Sequence, residues 1–271
     1  MSQDDRVRVY LLGDGVAEVV LSRPEKRNAL DDRAIAELGQ AFESAAGDAE
    51  VRVILLRGAG KDFCAGVDLA QLERIAAGAG ALENLEDASA LASLFVAMRR
   101  CPKPIVAAVH GHAFAGGAGL ANACDIVLAA DDAVFGYPEV QLGFVPAIVM
   151  ALLRRTSSEK IAFELAARGD RISAQQAREY GLVNHLFPAE TLEADAREYA
   201  RELSRRSPSA LRLIKRLLYG MDGMDFDQAV ARGAEVNAIA RLTDDCRAGV
   251  RHFLDSRAAA LRRGGSHEAE V

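Results

Sequence analysis

Hydrophobic positions in the first two thirds of the chain fall into short apolar runs, separated by amphipathic stretches and glycine-bearing bends. VAEVVLS (Val16 to Ser22) reads as a strand, and the polar RPEKRNAL after it as a loop. DDRAIAELGQAFESAA then sets apolar residues at helical spacing behind Asp31 or Asp32 as cap. VRVILLRG (Val51 to Gly58) is almost wholly apolar, the pattern of a strand buried on both faces. It runs into AGKDFCAGVDLAQL, a glycine-containing loop that opens another helix. The polar and Gly/Ala-rich stretch Ala76 to Ala90 reads as a mobile loop. PIVAAVHG and DIVLAA are further buried strands, on either side of AFAGGAGLANACD (Ala113 to Asp125). Strands alternating with helical stretches predict an α/β fold.

Two segments echo each other. VILLRGAGKDFCAGVDL and IVAAVHGHAFAGGAGL each run strand, bend, small residues, helix start. Side by side, such units aim two helix N-termini and their free N–H groups at one spot. From Thr191 onward the pattern is helical, with TLEADAREYARELSRR, SPSALRLIKRLLYG, DFDQAVARGAEVNAIARL and TDDCRAGVRHFLDSR in succession. Ser207 caps the second of these and Pro208 takes its first turn. The closing RRGGSHEAEV reads as frayed. The expected organisation is an α/β core over 1–190 with a helical C-terminal region over 191–271, and no independent second domain.

Composition narrows the function. A chain of 271 residues buries a core without staples. Its net charge of −6, with no basic block, argues against nucleic acid as a partner. Cys64, Cys101, Cys124 and Cys246 form no CxxC pair and have no histidine at zinc spacing. They read as reduced cysteines in apolar surroundings, which fits the cytoplasm. MSQDDRVRVY lacks the apolar core of a secretory signal. Pro104 to Cys124 carries no Lys, Arg, Asp or Glu, but Gly111, two histidines and a glycine cluster break it. A buried strand, tight loop and buried helix explain it better than a membrane span.

The glycine cluster matches no nucleotide motif. Gly111-HAFA-Gly116 has phosphate-loop spacing, yet Gly117 and Ala118 occupy the Lys and Ser/Thr positions. The dinucleotide pattern fails at Asn122, and no nucleophile sits at the turn for a GxSxG elbow. Two readings remain: amides at a helix start that stabilise an oxyanion, or close packing of this helix on a strand.

At this point the chain resembles the crotonase superfamily, also called the enoyl-CoA hydratase/isomerase family. SRPEKRNAL is similar to its CoA-contacting loop and GAGKDFCAGVDL to its first oxyanion segment. KPIVAAVHGHAFAGGAGLANACDIVLAADDAVFGYPEVQLGFVP resembles its core signature, and GDRISAQQAREYGLVNHLFP the segment after it. The resemblance implies a spiral of ββα units, C-terminal helices that build homotrimers or hexamers, and an acyl-CoA substrate. Coenzyme A enters as part of that substrate; no metal and no separate cofactor is implied.

Carried over position by position, the oxyanion donors fall at the amides of Val67 and Gly116, and the acid–base at Glu139. Lys26 and Arg27 read either as contacts to CoA phosphates or as a solvated loop, Asn28 and Leu30 as shaping that loop, and Asp68 as the cap of the helix after Val67, its backbone beside the substrate. Ala65, Leu69, Gly117 and Gly119 complete the substrate-binding set. His110 and His112 flank the turn without a role that family logic requires.

The departure is Gly119, which stands where the family's hydratases carry their first glutamate. Three readings follow. One is hydration of a 2-enoyl-CoA, favoured because most of the wider family are hydratases. Water would then be held by Asn122, by Tyr137 or by the carboxylate of a branched substrate such as 3-methylglutaconyl-CoA. Another is 3-enoyl to 2-enoyl isomerisation with Glu139 alone, and the third a low-activity acyl-CoA-binding paralogue. Ala147, Ile148 and Val149 either shape an acyl pocket or simply pack their helix.

Overall fold

A computed structural model describes residues 5–78 and 80–264. Six strands form one sheet in the order β1-β2-β3-β4-β6-β9. They are β1 (Val7–Gly13), β2 (Val16–Leu21), β3 (Val53–Gly58), β4 (Ile105–Val109), β6 (Ile126–Ala130) and β9 (His185–Phe187). A smaller sheet joins β5 (His112–Phe114), β7 (Val134–Gly136) and β8 (Arg171–Ser173). The β1–β2 and β7–β8 pairs are antiparallel, the others parallel. Every residue of β2 and β4 is buried, as expected of parallel strands covered on both faces.

Among the described residues eleven helices accompany the strands. In the first compact unit, Met1–Ser204, they are α1 (Asp32–Gly47), α2 (Leu69–Ala76), α3 (Ala81–Arg100), α4 (Gly116–Ala123), α5 (Ala147–Thr156), α6 (Glu159–Arg168), α7 (Ala174–Glu179) and α8 (Leu192–Ser204). Asp31 caps α1, its carboxylate accepting from Ala34 N at 2.7 Å. α1 packs on β1, β2 and α3, whereas α8 packs on β2, β3, β4 and β6. α4 lies against α3, α5 and β5. The second unit, Arg205–Val271, holds α9 (Pro208–Gly220), α10 (Phe226–Arg241) and α11 (Asp244–Gly264). Ser207 caps α9, and Asp245 at the start of α11 accepts from the hydroxyls of Ser207 at 2.7 Å and Ser209 at 2.8 Å.

The expected strands and caps are present, and Pro104 to Cys124 resolves into β4, β5 and α4. Two features differ. Ala76 to Ala90 is not a mobile loop: α2 ends at Ala76 and the first half of α3 fills Ala81 to Ala90. The segment ALENLEDASA is rich in Ala, Leu and Glu, strong helix formers, and Gly78 and Gly80 confine the break to the connection. β1 is an added edge strand, turned into β2 by Gly13-Asp14-Gly15, all at positive φ. Of the C-terminal stretch read as frayed, 265–271 lies outside the described residues.

Candidate active site

The loop after β2 is braced by its own side chains. Asn28 is buried; its Oδ1 accepts from Arg23 N at 3.0 Å, and its Nδ2 donates to Ala59 O at 2.8 Å and Asp62 O at 2.7 Å. The guanidinium of Arg23 donates to Ala29 O at 2.9 Å and pairs with Asp31 at 3.0 Å and Asp68 at 2.9 Å. Asp68 also accepts from Ala70 N at 3.0 Å, capping the next helix. That bond, with the ion pair to Arg23, holds its carboxyl below the usual range despite desolvation.

This bracing sets Leu30 beside Val67. Leu30 N donates to Gly66 O at 2.7 Å, and Asp68 N donates to Leu30 O at 3.0 Å. In such a parallel rung the residue between the two bonded ones turns its own N–H to the opposite side. The N–H of Val67 therefore points away from Leu30, and among the described residues it has no partner. A second rung, Cys64 with Ala113, ties the same segment to the turn before α4. There Ala115 adopts φ +49°, a strained conformation for a residue with a side chain. Gly116 follows as the first residue of α4, its N–H free as first-turn amides are.

Gly66 is what lets the two segments touch. At φ +94°, a Cβ there would stand 2.8 Å from Phe114 O, 2.9 Å from Ala115 Cβ and 3.5 Å from Gly116 N. Gly117 has a similar restraint, since a Cβ would collide with the carbonyl of Cys64. The close-packing reading of the glycine cluster thus applies at Gly117.

Glu139 comes from the 3-10 turn Pro138–Leu142 after β7. Its Oε2 is buried with no hydrogen-bond partner. Burial pushes its carboxyl above the usual range, opposed only by a bond from its own backbone N–H. Val67, Gly116 and Glu139 all line one cavity of about 640 Å³, with Ala65, Leu30, Leu91, Ile148 and Val149 among its walls. Among the described residues no Lys, Arg or His lines it. Two amide donors and a desolvated carboxyl around an apolar cavity can polarise a carbonyl and move a proton at the adjacent carbon.

The structure does not bring every candidate to this cavity. Lys26 is exposed, and Asn28, Asp68, Gly117 and Gly119 lie off the lining. Leu69 opens α2. Asn122 and Tyr137, considered as water holders, are buried away from the lining, and burial raises the Tyr137 phenol pKa. The histidines serve the framework: His112 Nδ1 meets Asp62 Oδ1 at 2.5 Å, and His110 Nε2 contacts Gly60 O at 3.0 Å. Around Gly119, a Cβ would sit 2.7 Å from Val149 Cγ2 and 3.0 Å from Phe95 Cζ. The space that a side chain at Gly119 would first enter is taken by hydrocarbon.

Comparison with known proteins agrees with this architecture. The profile of the family described as Enoyl-CoA hydratase/isomerase matches residues 12–262. The chain is 42% identical over 242 residues to a Thermus thermophilus protein named "Putative enoyl-CoA hydratase", covering 89% of this chain and 95% of that one. It is 30% identical over 254 residues to the mitochondrial Delta(3,5)-Delta(2,4)-dienoyl-CoA isomerase of Dictyostelium discoideum, covering 89% and 86%. The crystal structure of an enoyl-CoA hydratase from Mycobacterium smegmatis superposes with a TM-score of 0.88 at 29% identity, covering 93% of this chain and 96% of that one.

Proposed function

We propose that this chain, which belongs to the enoyl-CoA hydratase/isomerase family, shifts the double bond of a 3-enoyl-CoA thioester into conjugation. The thioester oxygen accepts from the N–H groups of Val67 and Gly116. Glu139, ionised, takes a proton from the α-carbon, and the electron pair moves onto that oxygen as a dienolate. The same carboxyl then returns the proton to the γ-carbon, the double bond forms between the α- and β-carbons, and the base is restored. Each amide donor contributes about 10²–10³ in rate, and the positioned base about 10²–10⁴.

One observation carries this reading: the second carboxylate that would activate water is a glycine, and Val149 and Phe95 occupy the space beside it. The other acid on the cavity wall, Asp87, is paired with Arg74 at 3.4 Å. Hydration of a 2-enoyl-CoA is the second reading, favoured by the hydratase names among its relatives. Supplying 2-enoyl-CoA and 3-enoyl-CoA separately, and following the absorbance of the conjugated thioester, distinguishes them. Gain from the 3-enoyl substrate is expected. Loss from the 2-enoyl substrate without that gain would establish hydration instead, and silence with both would leave a binding protein.

A further inference from the structure

We propose that the acyl group accepted here is uncharged along its length, and that Asp87 is the specificity-determining residue that turns away chains ending in a carboxylate. This rests on the acyl-thioester reading above and adds to it the class of acyl group.

The charges on the cavity wall are of one sign. Among the described residues its ionisable carboxyls are Glu139 and Asp87, and no cationic side chain lines it. The nearest cation to Asp87 is Arg74, on α2, which lies 3.4 Å from Asp87 and equally 3.4 Å from Asp32. Arg74 divides its charge between Asp87 and Asp32, and neither Arg74 nor Asp32 lines the cavity, so the charged groups on the wall itself are carboxylates. To reach a substrate carboxylate, Arg74 would have to abandon both of its partners.

Position supplies the rest. Leu91 Cδ2 lies 3.4 Å from where a Cβ on Gly116 would stand, so this side chain marks the thioester end of the cavity. Asp87 is four residues earlier on α3, on the same face and about 6 Å along the axis. Ala88, Leu72, Ile148 and Val149 provide apolar wall in the same cavity, suited to methylene groups. A six-carbon chain running along α3 reaches the level of Asp87. A methyl terminus is accommodated there, whereas a carboxylate loses hydration and meets a like charge without a counter-ion. A dicarboxylic substrate that supplies its own carboxylate to hold water, open on the sequence alone, is disfavoured by these charges.

The test uses saturated thioesters, whose binding does not depend on turnover. Hexanoyl-CoA and adipyl-CoA have six-carbon acyl groups and differ in a terminal methyl against a terminal carboxylate. Titration calorimetry on the intact chain should give about tenfold or tighter binding for hexanoyl-CoA. Asp87→Asn should keep the hexanoyl affinity and narrow the gap to about threefold. Equal or tighter binding of adipyl-CoA to the native chain would overturn the proposal, whether or not the variant folds. A gap unchanged in a folded Asp87→Asn protein would remove Asp87 as the determinant. Binding of neither thioester would sink the acyl-thioester reading and this proposal with it. Discrimination without isomerisation would refute only the double-bond shift.

Discussion

The packing around Gly119 makes a prediction whose sign reverses with its neighbour. In an open helix, Gly→Ala stabilises by roughly 0.5–1 kcal/mol through backbone entropy. Here the new methyl would stand 2.7 Å from Val149 Cγ2, closer than real Cβ contacts come, and 3.0 Å from Phe95 Cζ, a tight contact that the ring can relieve by a few tenths of an ångström. Val149 is buried and β-branched, so it cannot swing aside freely. Overpacking of this kind costs about 1–3 kcal/mol. The net for Gly119→Ala is a destabilisation of about 1 kcal/mol, or roughly 2–4 °C in Tm for a unit of this size. Val149→Ala removes the obstructing methyl and by itself costs about 1.6 kcal/mol for two buried carbons. In that background Gly119→Ala should become stabilising by up to about 0.5 kcal/mol, because the helix gain remains, the closest collision is gone, and the Phe95 ring need give only a few tenths of an ångström into the space vacated. Denaturant unfolding of the native chain, both single variants and the double variant reads this directly. A stabilising Gly119→Ala in the native background, or the same effect in both backgrounds, would refute the packing argument. With it would go the reason for expecting a lone carboxylate at work.

Four further outcomes follow. Glu139→Gln should retain thioester affinity and lower kcat by about 10² or more. Because burial raises the Glu139 pKa and the base must be ionised, the native acid limb should lie above pH ~4.3, where an ordinary glutamate titrates, and kinetics against pH will locate it. Gly66→Ala should abolish turnover, since its Cβ would press on Phe114 O and Ala115 Cβ between the two amides; full activity in a folded variant would deny their adjacency. Glu18, buried under Arg197 at 2.8 Å and Arg57 at 3.1 Å, should cost about 3 kcal/mol when replaced by Ala. Burial alone would raise its pKa, but the two arginines outweigh that and lower it. Its contribution is therefore full above the unfolded carboxyl pKa and lost as pH falls through the lower folded value, as acid unfolding curves of the native chain and the variant can test.

Much of this was legible in the chain because the signals are local. Apolar runs marked β2, β3, β4 and β6, and Asp31, Ser207 and Pro208 announced helix starts through short-range capping chemistry. The echo of two strand-bend-helix units anticipated the adjacent segments that carry Val67 and Gly116. What was hidden depends on partners distant in sequence. Nothing near Gly119 indicates that Val149 and Phe95 close over it. Asp87 was concealed because a Gly/Ala-rich, polar stretch reads as loop until α3 is seen to run through it. Arg23, next to a proline in a polar loop, looks solvated; its role emerges only when Ala29, Asp31 and Asp68 gather around it.

The single rung between Leu30 and Val67 acts as a parity device. Successive residues in an extended segment turn their N–H groups to alternate sides, so which amide is left facing away from Leu30 depends on whether the count from Gly66 is odd or even. Lengthening distant connections leaves that count alone, whereas a one-residue slip here would turn the Val67 N–H toward Leu30 and a neighbouring residue's amide outward in its place. Tolerance to insertion should therefore drop sharply across these few residues, although they bear no reactive side chain.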